Sequence, residues 1–429
     1  MAEHVSSVCR TAPSMIRFEV LIVGAGHGGA QAAIALRQHG FAGSLALLGD
    51  EPELPYERPP LSKEYLSGEK AFERTLIRPA GFWDERNVCL VLNRKVTMVN
   101  ATEHYVITET GEILHYGTLI WAAGGHARWL PGSEGLTGVH TIRTRADVDR
   151  LAAELSFARR VVVIGGGYIG LEAAAVLSKQ GKNLVLLEAQ DRLLPRVSGE
   201  QLSRFLEQEH RAQGVDIRLN TQVAEILGDD RVTGVKLDDG TIITCEMVII
   251  GIGIVPSVDP LLEAGATGGN GVDVDRSCHT SLDDIYAIGD CAKHPNRFAG
   301  GQSIRLESVQ NANDQATVAA RAIVGQEAIY DVVPWFWSNQ YDLRLQSVGI
   351  STDHDETVIR GDVESRRFSV IYLKDKRIIA LDCVNSTKDY VQGRRLVSEE
   401  AVVDSGVLSD VASELKDIVI SPRPDRQFN

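Results

Sequence analysis

The sequence lacks an apolar run long enough to cross a bilayer, and its first residues lack the apolar core of a secretory signal. From these absences we expect a cytoplasmic protein that does not associate with membranes. An excess of basic residues is missing too, because 44 Lys and Arg stand against 58 Asp and Glu, a formal net charge of −14. Nucleic-acid binding needs a basic surface, so this balance argues against a nucleic-acid partner.

Paired cysteines are also lacking. The six cysteines are widely spaced, with no CxxC pair, no zinc-ligand spacing and no iron–sulfur pattern. We therefore expect no bound metal and six ordinary reduced thiols. The apolar share of 44% and the charged share of 24% are ordinary for a folded chain, and 429 residues suffice for two to three domains.

Two segments of the chain have the same order of predicted elements. In the first, the apolar strand Val20–Val23 leads through glycines into an alanine-rich helix that ends at Gly40, followed by a strand over Ser44–Leu48. In the second, a strand over Val161–Ile164, a glycine turn and a helix that stops before Gly181 precede another strand. Continuous apolar runs are typical of buried parallel strands, so the pattern predicts two dinucleotide-binding folds.

The first glycine turn has the spacing of a pyrophosphate site. Gly24 permits the tight turn, Gly26 lets the backbone approach the pyrophosphate, and Gly29 allows the helix to pack closely on the strand. The helix N-terminus then presents free N–H groups to the anion. An acidic residue about 20 positions further on binds ribose hydroxyls, and here it is Asp50 or its neighbour Glu51.

The second turn repeats this chemistry with Gly165, Gly167 and Gly170, and Glu188 follows 18 residues after the last glycine. An acidic residue here binds a free 2′-hydroxyl and repels a 2′-phosphate, which favours NADH over NADPH. Arg192 is near enough in the sequence to leave NADPH open.

Further motifs extend along most of the chain. They are GAGHGG, LPYERPPLSK, YGTLIWAAGG, GGGYIGLE, TSLDDIYAIGDC, RLESVQNA and PWFWSNQY. With these motifs the chain, over roughly Phe18 to Val397, resembles the flavoprotein ferredoxin reductases that serve bacterial oxygenases. The resemblance implies an α/β fold with two Rossmann-like dinucleotide-binding domains in a glutathione-reductase-like arrangement, plus a C-terminal α+β domain.

The resemblance also implies domain boundaries. We expect a flexible extension over residues 1–17, an FAD-binding domain over 18–143 and 256–333, an NAD-binding domain over 144–255, and the α+β domain over 334–429. The sequence from Trp335 onward agrees with this last boundary, because it is rich in aromatic residues and alternates between apolar and polar residues, a pattern that predicts antiparallel strands.

Cofactor contacts follow from the same resemblance, position by position. The residues implied for FAD are Gly24, Gly26, Gly28, Gly29, Asp50, Glu51, Arg58, Lys63, Val96, Ala123, Gly124, Arg143, Gly289, Asp290 and Val309. Those implied for NAD are Gly165, Gly167, Tyr168, Ile169, Gly170, Glu188 and Gly253.

Four residues are the expected catalytic set. By resemblance, Lys63 lies beside the flavin and pairs with Glu172, Glu307 contacts the nicotinamide, and Trp337 approaches both rings. Each also has an ordinary structural interpretation: a surface charge for Lys63 or Glu172, a helix cap for Glu307, and a core tryptophan for Trp337. Similarly, Asp290 of the second FAD motif could be a turn aspartate that caps a helix.

The function implied is electron transfer from NADH through FAD, one electron at a time, to a separate [2Fe–2S] ferredoxin that supplies a haem monooxygenase or ring-hydroxylating dioxygenase. Disulfide reductases of this superfamily carry a redox cysteine pair where this chain has LPYERPPLSK. The alternatives are an NADH oxidase or peroxidase and a signalling flavoprotein of the cell-death-factor type. For docking an acidic ferredoxin, Arg78, Arg305 and Arg344 are candidates.

Overall fold

The computed structural model describes residues 16–418. The expected extension over residues 1–17 therefore lies outside the described residues, except for Ile16 and Arg17, which begin the first strand. None of the helices in this range is long and apolar enough to cross a membrane.

The helices of residues 16–418 are α1 (His27–Gln38), α2 (Ala80–Glu85), α3 (Arg145–Leu155), α4 (Tyr168–Lys179), α5 (Glu200–Ala212), α6 (Asp259–Glu263), α7 (Val309–Ile323), α8 (Thr387–Ser398) and α9 (Ser405–Ser409). The strands are β1 (Ile16–Val23), β2 (Leu45–Leu48), β3 (Val88–Val91), β4 (Val96–Asn100), β5 (Tyr105–Thr108), β6 (Ile113–Trp121), β7 (Gly125–Ala127), β8 (Val139–Thr141), β9 (Arg160–Ile164), β10 (Asn183–Leu187), β11 (Asp216–Arg218), β12 (Val223–Leu227), β13 (Gly234–Leu237), β14 (Ile242–Thr244), β15 (Met247–Ile250), β16 (Ile254–Pro256), β17 (Gly268–Gly269), β18 (Gly271–Asp273), β19 (Ile285–Ala287), β20 (Ala292–Pro295), β21 (Ser303–Arg305), β22 (Trp335–Gln340), β23 (Leu343–Gly349), β24 (Glu356–Asp362), β25 (Arg367–Lys374) and β26 (Arg377–Val384).

The chain divides into two compact units. The first comprises the described residues up to Pro60, then Lys70–His126 and Ile254–Val332. The second comprises Leu61–Glu69, Ala127–Gly253 and the described residues from Val333 onward. The antiparallel C-terminal strands thus belong to the same unit as the second glycine turn, and so does the short segment Leu61–Glu69, which lies within the expected FAD domain in sequence order.

The first unit is built on a seven-stranded sheet with the order β3-β2-β1-β6-β5-β4, with β19 also paired to β6. Strands β1, β2, β3, β6 and β19 run parallel, whereas β4 and β5 are antiparallel to their neighbours. The end of β1 is fully apolar and buried, as predicted for a parallel strand covered on both faces. Helix α1 packs against α7 through alanines, which let the two backbones approach closely.

The second unit contains two sheets that matter for function. Strands β11-β10-β9-β15-β8 form a parallel sheet, and β22-β23-β26-β25-β24 form an antiparallel one covered by α8. The first sheet carries the second glycine turn at the carboxyl end of β9, which is where ligands bind in open α/β sheets. The second sheet is the antiparallel region predicted after Trp335.

Candidate functional site: two dinucleotide turns

The first glycine turn has the geometry of a pyrophosphate cradle. Gly24 has φ +110, and a Cβ there would lie 2.2 Å from the oxygen of Ala122. A Cβ on Gly29 would lie 1.8 Å from the oxygen of Gly24, so only glycine allows α1 to start so close to the strand. At Gly26, by contrast, the nearest atom is 3.8 Å away and no side chain caps the helix. The turn therefore leaves room for a ligand at the helix N-terminus.

Acidic residues follow β2 as the sequence predicts. Asp50 is exposed, whereas Glu51 accepts hydrogen bonds from Tyr56 Oη at 2.6 Å and Arg58 Nη2 at 2.7 Å. Burial opposes the charge of Arg58, but Glu51, Tyr56 and Asp50 together raise the Arg58 pKa above its ordinary value. Because Glu51 is engaged by Arg58, Asp50 is the better placed of the two acids for a ribose hydroxyl.

Val96 is connected to the same acidic turn. Val96 is buried at the start of β4. Two residues shortly before it bind the turn: the Arg94 N–H donates to Gly49 O at 2.8 Å, and the Asn93 N–H donates to Glu51 O at 2.9 Å. The structure thus brings the segment before Val96 to the acid that follows β2.

The second FAD motif lies beside the first turn within this unit. Gly289 has φ +77 and begins the 3-10 turn that holds Asp290, directly after β19. The Ile288 side chain and the Cβ of Ala312 are 3.5 Å and 3.7 Å from where a Cβ on Gly28 would be. Ala123 and Gly124 also lie close to Gly24. A Cβ added to Gly24 would lie 2.7 Å from Ala123 N, and Gly124 has φ +61. These predicted residues are therefore neighbours.

Gln315 on α7 was missed by sequence reasoning. Its Oε1 accepts the N–H of Gly289 at 2.7 Å, and its Nε2 lies 3.1 Å from Nδ1 of the buried His294. Burial lowers the pKa of His294 to about 4, so the imidazole is neutral and can accept from Gln315. Gln315 therefore fixes the turn that carries Asp290, although it lies 26 residues away in the sequence.

Helix α7 begins at Val309, the predicted main-chain contact to the flavin. Ser308 caps it by accepting from Asn311 N at 3.1 Å. Glu307 is exposed and pairs with Arg305 at 2.8 Å, so it does not itself cap the helix. Arg305 is only 12% exposed and also donates to Asp290 O, and therefore does not fit the suggested role of a docking cation.

The second glycine turn repeats the first within the other unit. Gly165 has φ +108, and a Cβ on Gly170 would lie 2.1 Å from Gly165 O. At Gly167, which precedes α4, the nearest atom would be 3.9 Å away and no side chain caps the helix. Tyr168 and Ile169 form the first turn of α4, and Ile169 is exposed.

Glu188, predicted from the sequence to bind a ribose, lies at this turn. Its carboxylate is buried and accepts the N–H of Gly166 at 2.7 Å and that of Gln190 at 2.9 Å. Arg192 instead donates to Ser198 O, Pro195 O and Ser203 Oγ, at 2.7 to 2.9 Å. The guanidinium of Arg192 is thus engaged in holding its own loop.

Lys63 and Glu172 are brought together within the second unit. Lys63 Nζ lies 2.7 Å from Glu172 Oε2, and the side chains are 11% and 2% exposed. Glu172 also accepts from Ser62 Oγ at 2.5 Å and from Ser338 Oγ at 2.6 Å. A buried carboxylate needs such partners, and the two serines were not identified from the sequence. With these serines, the ion pair joins three segments that are distant in the sequence, those of Ser62–Lys63, Glu172 and Ser338.

Trp337 belongs to an aromatic group on β22. Its ring lies 5.5 Å from that of Trp335 and 6.3 Å from that of Phe336, and Phe336 packs at 4.4 Å on Tyr168. Ser338, the Glu172 partner, follows Trp337 directly. The strand therefore presents an aromatic ring next to the start of α4 and the Lys63–Glu172 pair.

The two remaining predicted contacts also lie in the second unit. Gly253 has φ +96, and a Cβ added to Gly253 would lie 3.7 Å from the guanidinium of Arg196. Arg143, expected to contact FAD, follows β8. It is thus grouped with the second glycine turn rather than the first.

Among the cysteines of residues 16–418, one departs from the expectation. Cys89 on β3 is disulfide-bonded, so the expectation of six reduced thiols is wrong there. Cys245, Cys278, Cys291 and Cys383 are free and buried. Burial raises the pKa of Cys245 and Cys291 to about 12 and also raises that of the other two, so these four thiols stay protonated near neutral pH.

The residues present fit two dinucleotides. Each turn combines two glycines that no other residue could replace, one open glycine before an uncapped helix, and an acidic residue after the second strand. Among residues 16–418, no group of His, Cys, Asp or Glu side chains is placed to hold a metal ion.

Comparison with known proteins supports this assignment. A model of the pyridine nucleotide-disulphide oxidoreductase family matches residues 18–316, and a reductase C-terminal model matches residues 335–419. The chain is 58% identical to the 5,5′-dehydrodivanillate O-demethylase ferredoxin reductase subunit of Sphingobium sp., covering 94% of this chain and 99% of that protein. It is 57% identical to a ferredoxin–NAD(P)(+) reductase of Sphingomonas sp., covering 95% and 99%.

Among solved structures, the covalent putidaredoxin reductase–putidaredoxin complex aligns with a TM-score of 0.89 at 36% identity, covering 93% of this chain and 97% of the other. These matches confirm the predicted fold class and the use of FAD and a nicotinamide dinucleotide. The chain therefore belongs to the pyridine nucleotide-disulphide oxidoreductase family, as an FAD-dependent reductase that is similar to ferredoxin reductases over nearly its whole length.

Proposed function

We propose that this protein oxidises NADH through FAD and passes the electrons singly to a [2Fe–2S] ferredoxin that supplies a haem monooxygenase or ring-hydroxylating dioxygenase. The observation that carries the proposal is Lys63, which lies in the segment where disulfide reductases hold a redox cysteine pair and which forms an ion pair with the buried Glu172 of α4. The similar proteins point the same way, since one is named as the ferredoxin reductase subunit of an O-demethylase and another was solved with putidaredoxin.

FAD, when bound, would supply hydride acceptance and one-electron donation. The chain supplies binding and orientation. The uncapped N-termini of α1 and α4 present N–H groups to pyrophosphates, and the acids after β2 and β10 receive ribose hydroxyls. Asp290 and Val309, neighbours of the first turn through Gln315 and α7, complete the proposed flavin contacts.

NADH is the proposed donor because of Glu188 and Arg192. The Glu188 carboxylate, held by two backbone N–H groups, would repel a 2′-phosphate. Arg192, the residue that could have received that phosphate, already donates to two backbone oxygens of its own loop and to Ser203 Oγ on α5.

The proposed catalytic residues have different roles. Lys63 holds a buried positive charge that Glu172 compensates, and the two serines fix Glu172 so that the ammonium keeps one position. Glu307 is exposed enough to meet the nicotinamide, with Arg305 setting its direction. Trp337 contributes a ring whose strand is anchored through Ser338.

The rival functions lack support among the described residues. An NADH oxidase or peroxidase needs a reactive cysteine, yet the four free cysteines are buried and protonated. Nothing in these residues favours a signalling flavoprotein.

The test is a coupled steady-state assay. The FAD-loaded enzyme is given NADH or NADPH, with cytochrome c as final acceptor, with and without a [2Fe–2S] ferredoxin from an oxygenase system. We expect ferredoxin-dependent reduction driven by NADH. Cytochrome c reduction that does not depend on ferredoxin, or that is faster with NADPH, would contradict the proposal.

We also propose a cytoplasmic location, supported by the absence of a membrane-spanning helix among residues 16–418. Fractionation of cells that express the full chain should recover it with cytoplasmic marker enzymes. Recovery in the membrane fraction would argue against this.

A further inference from the structure

The loop that follows Glu188 lies against the second glycine turn. Leu194 donates its N–H to Gly166 O at 3.0 Å, and the Leu193 side chain comes within 2.7 Å of where a Cβ on Gly166 would be. Leu194 has φ +52, a left-handed conformation that a branched side chain rarely adopts. Such a conformation persists only where the surroundings hold it.

The far end of this loop is held by Asp382, a buried residue of β26. Ser198 Oγ donates to Asp382 Oδ2 at 2.8 Å, and Tyr372 Oη donates to the same oxygen at 2.7 Å. Tyr372 Oη also accepts the N–H of Gly199 at 3.1 Å. A Cβ on Gly199 would lie 2.6 Å from that hydroxyl, so glycine is required for this contact.

A second hydroxyl of the antiparallel sheet also binds Asp382. Ser347 Oγ, on β23, donates to Asp382 Oδ1 at 2.5 Å. Tyr168 follows Gly167, the open glycine of the turn, and its ring packs at 4.4 Å on Phe336. One carboxylate on β26 thus joins the loop, through Ser198, to β23 and β25 of the antiparallel sheet.

The arrangement is more than stability requires. Burial raises the pKa of Asp382, against the effect of hydrogen bonds from Ser347, Tyr372 and Ser198. A buried acid whose three hydroxyl partners lie on the nucleotide loop and on two strands of the neighbouring sheet is suited to fixing geometry.

We propose that Asp382 is a positioning residue for the nicotinamide nucleotide site, which fixes the Glu188–Gly199 loop so that Gly166 and Glu188 are ready to receive the dinucleotide. The inference rests on the proposed function in one respect: it takes this turn as the NADH site. It assigns the C-terminal sheet a part in nucleotide binding that the residues of the turn alone do not show.

The test is Asp382→Asn, which keeps the shape but places an NH₂ donor among hydroxyl donors. We expect the KM for NADH, and the dissociation constant of ADP-ribose measured by calorimetry, to rise about tenfold, the effect of losing roughly one hydrogen bond's free energy. FAD content and kcat should stay unchanged within about twofold, a split that general destabilisation does not produce.

The matched control is Asp389→Asn. Asp389 is a partly buried acid packed on the antiparallel sheet, but its partners are Arg360, Ser369 and Ser386 rather than the nucleotide loop. This variant should lose thermal stability and keep the wild-type KM. An unchanged KM and unchanged ADP-ribose affinity in Asp382→Asn, or equal shifts in both variants, would overturn the inference.

Should Asp382→Asn fail to fold, Ser198→Ala removes only the hydroxyl on the loop side. Its KM for NADH should rise about threefold, and an unchanged KM would count against the inference. Absence of NADH turnover by the wild type would instead overturn the proposed function, and the ADP-ribose titration of the wild type and the variants would still decide the role of Asp382.

Discussion

At the scale of the residue, the proposed nucleotide preference depends on single buried polar groups. Glu188 is the clearest case, because its two oxygens are held by backbone N–H groups beside the second glycine turn. Its role depends on charge as well as on hydrogen bonding, and these two contributions can be separated by substitution.

We predict that Glu188→Gln narrows the preference for NADH over NADPH by about tenfold, since repulsion of the 2′-phosphate is lost while the shape remains. Glu188→Ala should in addition raise the KM for NADH. Glu246→Gln removes an acid of the same unit that pairs with Arg160, and should leave the preference unchanged. Steady-state kinetics with both nucleotides measure this, and a Glu188→Gln preference equal to that of the wild type would exclude the assigned role.

His210 on α5 gives a second residue-scale prediction. Its Nε2 lies 2.9 Å from Gln340 Oε1, its Nδ1 lies 2.9 Å from Tyr341 Oη, and burial lowers its pKa to about 4 against the opposing effect of Gln340. The folded state therefore favours the neutral ring. This stabilisation is complete above the unfolded pKa of about 6.5 and is lost as the pH falls from there towards 4.

Between pH 7 and pH 5 the contribution of His210 to the free energy of unfolding should fall by about 2 kcal/mol. Urea denaturation at both pH values should show that the wild type loses about this much more stability than His210→Gln, whose side chain does not titrate. Parallel losses in the two proteins would show that His210 is not held neutral.

At the scale of the element, the two β-turn-α-β segments are equivalent in geometry but lie in different units. In each, the last glycine of the turn lies close to the carbonyl oxygen of the first. A Cβ on Gly29 would be 1.8 Å from Gly24 O, and a Cβ on Gly170 would be 2.1 Å from Gly165 O. A methyl group at either position must therefore move its helix away from its strand, at a cost of about 1–3 kcal/mol.

We expect Gly29→Ala to lower the bound FAD content while the affinity for ADP-ribose is retained, and Gly170→Ala to do the reverse. Flavin absorbance and calorimetry give the two readouts. Gly81→Ala is the control, because a Cβ there would meet no atom within 4 Å and lies in a short helix. If both glycine variants lose the same ligand, the assignment of one cofactor to each turn is wrong.

These elements could be predicted because their determinants are local. Strand, glycine turn, helix and acid follow one another within about 30 residues, so spacing alone places Gly24, Gly165 and Glu188. The partners of Glu172, Gly289 and Ser198 could not be predicted, since Ser338, Gln315 and Asp382 lie 166, 26 and 184 residues from them. No local pattern marks such contacts, and the Lys63–Glu172 pair was expected only from resemblance to a family.

At the scale of the whole molecule, the question is how electrons leave. The net charge of −14 gives no general attraction for an acidic carrier, and of the suggested docking cations only Arg78 and Arg344 are exposed. The chemistry of exit is better defined, because the four free cysteines of residues 16–418 are buried with raised pKa values.

We therefore predict that exit needs none of these four thiols. Treatment of the native enzyme with N-ethylmaleimide should leave them unlabelled, as read by mass spectrometry, and should leave ferredoxin reduction at its untreated rate, because the protonated thiol reacts slowly. Loss of ferredoxin reduction on labelling, with flavin reduction by NADH intact, would reveal a thiol relay.

The most direct measurement of the central claim is a stopped-flow experiment on the holoenzyme. Enzyme reduced with one equivalent of NADH is mixed with an oxidised [2Fe–2S] ferredoxin, with air-saturated buffer or with hydrogen peroxide, and flavin absorbance is followed. A one-electron carrier reductase should be reoxidised far faster by the ferredoxin than by oxygen or peroxide. Reoxidation by oxygen or peroxide that is as fast as by every ferredoxin tried would contradict it and indicate an oxidase or peroxidase.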